Sequence, residues 1–139
     1  MINEDKELLL KDLCARLPYK VKVSTFTYNK ISGEELDSIE TLYSIDSDGY
    51  ITTYECDTSR PICKPYLFPL SSMTEEQKKE YNFWKHEVPV CHYEYGDIVE
   101  EVELYDSPES FDYLIANHFD YYGLIPKGLA IDATTLNLY

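Results

Sequence analysis

The sequence predicts an α+β fold: a small bent antiparallel sheet or an SH3-like barrel, with three helices, in a single domain over residues 1–139. Three observations carry this. The 139 residues match the size of one domain, since domains cluster at about 100–150 residues. Apolar residues make up 44% of the chain, enough to fill a core, and no repeat or low-complexity linker divides it. Three or four short strand-like segments follow one amphipathic helix, and two further helical segments lie beyond them.

The first helix is predicted over 4–16, "EDKELLLKDLCAR". Asn3 caps its start, Glu4 and Asp5 suit the positive end of the dipole, and Arg16 suits the last turn. Leu9, Leu10, Leu13 and Leu17 form one apolar face, and Pro18 closes the helix. "KVKVSTFT" then alternates as a half-buried strand. Residues 38–45 and 50–56 flank "DSDG", whose glycine supplies the positive φ of a hairpin turn. "ICKPYLFPL" reads as a short extended piece that Pro65 and Pro69 confine to a sheet edge.

A second helix starts within "SSMTEEQKKEYNFWKHE". Both Ser72 with Glu75 and Thr74 with Gln77 fit a capping box. Residues 90–105, "VCHYEYGDIVEEVELY", form a second hairpin turning near Gly96 and Asp97. Ser107 and Pro108 open the last helix, with Phe111, Leu114, Ile115 and His118 on one face.

Charge narrows the function. The formal net charge is −14, and no Lys or Arg occurs between Lys30 and Arg60 or between Lys85 and Lys127. The first tract holds eight acids and the second ten, together 18 of the 26 in the chain. A one-signed field of this kind repels nucleic acid and attracts basic partners. Glu100, Glu101 and Glu103 on the second hairpin, with Asp46 and Asp48 at the first turn, are the candidate residues for contact with a basic protein.

The N-terminal "MINEDKELLL" is acidic where a secretory signal needs a basic region, and no apolar run reaches the length of a membrane span. The expected setting is the cytosol. There Cys14, Cys56, Cys63 and Cys91 are expected to remain thiols. Their spacing does not suit a zinc site, so neither a metal nor a cofactor is expected.

No nucleophile elbow, P-loop or dinucleotide fingerprint is present, which points away from an enzyme. Cys91 and His92 are neighbours on a strand and face opposite ways, a poor basis for a nucleophile and its base. The dense stretch "NHFDYYGLIPKGLAIDA" (117–133) has two readings. As a site, His118 and Asp120 would act as an acid–base pair, or His118, Tyr121, Tyr122 and Lys127 would hold a nucleotide second messenger. As scaffold, His118 meets the negative end of the helix dipole, Gly123 and Gly128 take positive φ, and Phe119, Leu124, Ile125 and Leu129 fill the core. The scaffold reading fits the apolar content better.

"LLLKDLCARLPY", "KPYLFPLSSMTEEQKKEY" and "NHFDYYGLIPKGLAIDA" resemble small proteins of gut Bacteroidales and their phages that have no assigned activity. The blocks cover about a third of the chain; 24–60 and 86–110 show no such resemblance. The resemblance carries over no site residue. It implies a phage or mobile-element origin, action inside a bacterial host cell, and a role in countering host defence. The combined expectation is a non-enzymatic binding protein acting through an acidic surface, with a nucleotide-sequestering sponge as the alternative.

Overall fold

A computed structural model of the chain describes residues 3–28, 31–32, 35–56 and 59–139. Helix α1 spans Asn3–Arg16 and buries Leu9 and Leu13 completely. Two polar residues are buried beside them, Asp12 and Arg16. A 3-10 turn over Leu17–Tyr19, with Pro18 in its first turn, ends the helix, and Lys20 then takes φ +56°.

Strands β1 (Lys22–Tyr28), β2 (Glu35–Ile45) and β3 (Ile51–Thr53) form an antiparallel sheet in the order β1-β2-β3. The turn between β2 and β3 forms as its sequence predicts. Gly49 has φ +83°, and one carboxylate oxygen of Asp46 accepts from the backbone of Asp48 and Tyr50 at 2.9 and 3.0 Å. A shift of register between Leu42 and Ser44 bends β2.

Beyond β3 the chain curls back along both edges of this sheet, through single bridges from Arg60 to Ile51 and from Pro65 to Val23. Among the described residues these bridges do not extend into a ladder that closes a barrel. The SH3-like alternative therefore gives way to the bent open sheet. Pro61 and Pro65 lack the amide hydrogens a continuous ladder needs.

Strand β4 (Tyr66–Leu67) pairs in parallel with the short β7 (Ile131–Asp132), a pairing the sequence did not predict. Leu9, Leu13, Val21, Val23, Leu42, Ile51, Leu67 and Leu124 are fully buried together. Each such side chain contributes about 1.5–3 kcal/mol of burial.

Helix α2 (Glu75–Phe83) starts at the second of the two possible capping boxes. Gln77 N–H donates to Thr74 Oγ1 at 3.2 Å, and Thr74 N–H to Gln77 Oε1 at 2.9 Å. Ser72 instead belongs to a 3-10 turn over Leu70–Ser72. Helix α3 (Pro108–Ala116) has Pro108 in its first turn and a reciprocal Ser107–Ser110 cap, and buries Leu114 and Ile115. Tyr81 of α2 stacks on Tyr113 of α3, with ring centroids 6.4 Å apart. The α+β class, with three α-helices among the described residues, is thus the observed one.

Candidate partner-binding arm

Between α2 and α3 the chain forms a hairpin of β5 (His86–Glu94) and β6 (Asp97–Tyr105). It starts four residues earlier than the sequence predicts. Tyr95 (φ +51°) and Gly96 (φ +84°) turn the chain, the positive-φ pair that a two-residue type I′ turn requires. The hairpin pairs with no other strand among those described. All its residues are exposed except Val90 and Val99, which are half-buried. A protein core does not cover either face.

The register sorts its side chains. Glu101 lies across from Val90 and Glu103 from Val88, on a face shared with His86, His92, Glu94, Val99, Asp97 and Tyr105. The other face carries Tyr93, Ile98, Cys91, Glu100, Pro89, Val102, Glu87 and Leu104. Glu101 and Glu103 therefore share a face, as alternation predicts, while Glu100 sits apart on the more apolar face. On that face Tyr93 is 79% exposed, Ile98 64% and Val102 62%.

From His86 to Tyr105 the arm holds six acids (Glu87, Glu94, Asp97, Glu100, Glu101, Glu103) and no Lys or Arg. The Glu103 carboxylate accepts from the Tyr105 hydroxyl, and His92 Nε2 lies 3.8 Å from Glu94 Oε2.

The first acidic tract is spent differently. Glu40 is buried and accepts both arms of the Arg60 guanidinium at 2.8 and 2.9 Å, and also the hydroxyls of Thr25 and Thr53. The Arg60 hydrogen bonds, outweighing burial, hold its carboxyl down at about 2. Glu55 accepts from the Thr41 backbone at 2.8 Å, and Asp46 ties its own turn. Asp48 is exposed at that turn. Glu34 and Asp57 lie outside the described residues. Sequence reading missed the Glu40–Arg60 pair because 20 positions separate its members.

The 117–133 stretch is stitched into the core. Phe68 N–H donates to the His118 carbonyl and Asp120 N–H to the Phe68 carbonyl, both at 2.8 Å. The buried Asp120 carboxylate accepts from the backbone of Leu124 and Ile125 at 2.7 and 3.0 Å, so its bonds go to a turn rather than to His118. His118 lies past α3 at φ +64°. Burial, helped by the nearby Arg16 charge, pushes its imidazole down to about 4. It is neutral at physiological pH, which removes the charge–dipole role expected of it.

Its ring stacks on Tyr139, with centroids 3.7 Å apart, beside a cavity of about 690 Å³ lined also by Phe68, Ser72, Gln77, Asn117 and Thr134. Tyr121 and Tyr122 do not line that cavity. They pack edge-on against Phe111, and Lys11 sits over the Tyr122 ring. Lys127 is exposed and lines no part of the cavity either. The four residues of the nucleotide reading are thus not brought to one pocket.

Arg16 and Asp12 pair at 2.8 Å with both side chains fully buried, and Arg16 Nη2 donates to the Phe119 carbonyl at 2.5 Å. An i, i+4 charge pair adjoining Leu9 and Leu13 was the available signal. Burial raises the Asp12 carboxyl above its ordinary range, against the lowering by Arg16. Cys63 is a thiol that burial pushes up to about 12, which makes it a poor nucleophile. Among the described residues no three His, Cys, Asp or Glu side chains are grouped to hold a metal, and no helix is long and apolar enough to cross a membrane.

No family model, no curated protein and no solved structure matches this chain.

Proposed function

We propose that this is a non-enzymatic binding protein whose β5–β6 arm engages a basic protein. The observation that carries this is the arm's exposure on both faces, combined with six acids and no cation. A two-stranded hairpin standing alone in water is marginally stable, so such an arm gains most by being covered. Its acids steer encounter with a positive surface, and its exposed apolar side chains supply the area that holds the complex. The acids of the first tract support this less, because Glu40, Glu55 and Asp46 are engaged within the fold.

The setting we propose is the cytoplasm of a bacterial host. There the protein, phage-encoded, would inhibit a basic component of anti-phage defence, of the kind that itself handles nucleic acid. This part rests on the resemblance of the three sequence blocks. Affinity recovery from a host lysate is the test: a basic protein is expected at low salt and released as salt rises. Recovery of nothing at low salt, across several hosts, contradicts the reading.

A second reading, sequestration of a nucleotide signal, is favoured by the cavity beside His118 and Tyr139. Its polar rim of Ser72, Gln77, Asn117 and Thr134 suits a small polar molecule better than the Tyr121–Tyr122 pair does. A thermal-shift screen against cyclic nucleotides and ADP-ribose derivatives decides it. A ligand at 100 times its Kd stabilises the fold by about 2.7 kcal/mol, and no shift with any of them retires the idea.

A further inference from the structure

We infer that the partner docks by strand addition along the outer edge of β6, not β5, and presents a strand that alternates basic and apolar residues. This deepens the arm-binding reading and rests on it.

The ladder itself decides the edge. In an antiparallel pair, opposed residues alternate between those that exchange hydrogen bonds and those whose N–H and C=O point outward. The two-residue turn makes Glu94 and Asp97 an exchanging pair. Counting along the register, the outward-pointing pairs are Tyr93–Ile98, Cys91–Glu100, Pro89–Val102 and Glu87–Leu104. Pro89 therefore falls where its missing N–H faces outward, and it interrupts the outer edge of β5. Proline on an edge strand blocks pairing with another chain. The outer edge of β6 has no such guard. Ile98, Glu100, Val102 and Leu104 offer an unbroken run of donors and acceptors, and no described strand takes them up.

Side chains then specify the incoming strand. Ile98, Val102 and Leu104 are 64%, 62% and 43% exposed on one face, while Glu101 and Glu103 stand on the other. A strand laid beside β6 continues the pleat, so its own side chains divide between these faces. Apolar residues suit the first and Lys or Arg the second, because cross-strand neighbours of opposite charge stabilise and like charges destabilise.

A second copy of this chain is the wrong occupant. Pairing β6 with itself would bring together two strands that each carry Asp97, Glu100, Glu101 and Glu103 and no base, in a chain of net charge −14. A third strand from a basic partner also supplies what a lone hairpin lacks for stability.

The test uses the full chain, labelled with nitrogen-15, and a synthetic peptide of alternating lysine and valine (Lys-Val-Lys-Val-Lys-Val-Lys). A peptide of alternating lysine and glycine with the same charge is the control. The Lys/Val peptide is expected to slow amide exchange at Ile98, Glu100, Val102 and Leu104 by about tenfold or more, and the control is not. Glu100→Pro removes one outward N–H and is expected to abolish this protection, while Glu100→Gln, which removes only the charge, keeps it. Exchange at Val99, Glu101 and Glu103 reports whether the hairpin itself survives in each variant.

Protection on β5 instead, or equal binding of both peptides at the arm without protection of β6, overturns strand addition and leaves the acidic-arm reading standing. Failure of both peptides to perturb the arm at low salt overturns both. A dimer in sedimentation that Glu100→Pro dissociates would show that a second copy holds the edge, and would also overturn the inference.

Discussion

Arg16 donates to the carbonyl of Phe119, 103 positions away, at 2.5 Å, while its other side holds Asp12 at 2.8 Å. This pair fastens α1 to the start of the 117–133 stretch, so the Phe119 backbone serves the scaffold. It leaves the arm as the element with nothing to do in the core.

Removing one member of a buried ion pair strands the other. Arg16→Met is therefore expected to cost about 3–5 kcal/mol in urea denaturation. The double change Asp12→Leu with Arg16→Met is expected to recover part of that loss, because no carboxylate is left uncompensated. A single change that costs nothing would show that the pair is not buried as described.

Acid is expected to destabilise the fold in two stages. His118 has a folded value near 4, below its ordinary 6.5, so the stability it contributes is present above 6.5 and lost as pH falls toward 4. Glu40 is held near 2, below its ordinary 4.5, so its contribution is present above 4.5 and lost as pH falls toward 2. Denaturation midpoints measured against pH check both. His118→Asn, which also suits the positive φ there, is expected to flatten the upper stage, and Glu40→Gln the lower.

Much of the fold was legible because local signals dominate it. The alternation, the turn glycines, the Ser107–Pro108 start and the apolar face of α1 are all decided within a few residues. Two capping boxes competed at α2, and the winner depended on how residues 70–72 wind, which sequence spacing does not set. The parallel β4–β7 pair stayed hidden because each strand is two residues long and meets its partner 65 positions away. The acidic tracts look alike in sequence. Only the fold shows that Glu40 is engaged by Arg60 while Glu101 and Glu103 stand on an uncovered arm. The site reading of His118, Tyr121, Tyr122 and Lys127 drew together neighbours in sequence that the chain turns different ways.

Tyr95 sits at φ +51°, a conformation that an aromatic residue adopts at a cost and asparagine adopts readily. Tyr95→Asn is expected to stabilise the arm by about 1 kcal/mol without changing the core, because asparagine enters the left-handed region more readily than an aromatic residue does. Slower amide exchange across β5 and β6, with unaltered exchange at Leu9 and Leu13, is the expected pattern. Faster exchange in the arm would mean that the turn is not of this type.

The most direct measurement compares wild type with Glu101→Lys/Glu103→Lys for both unfolding and partner capture. Both positions are exposed, so the double change is expected to shift unfolding free energy by no more than about 0.5 kcal/mol per site. Capture of the basic partner is expected to fall sharply and to lose most of its salt dependence. A folded variant that captures the partner as well as wild type does would contradict the acidic arm as the binding surface.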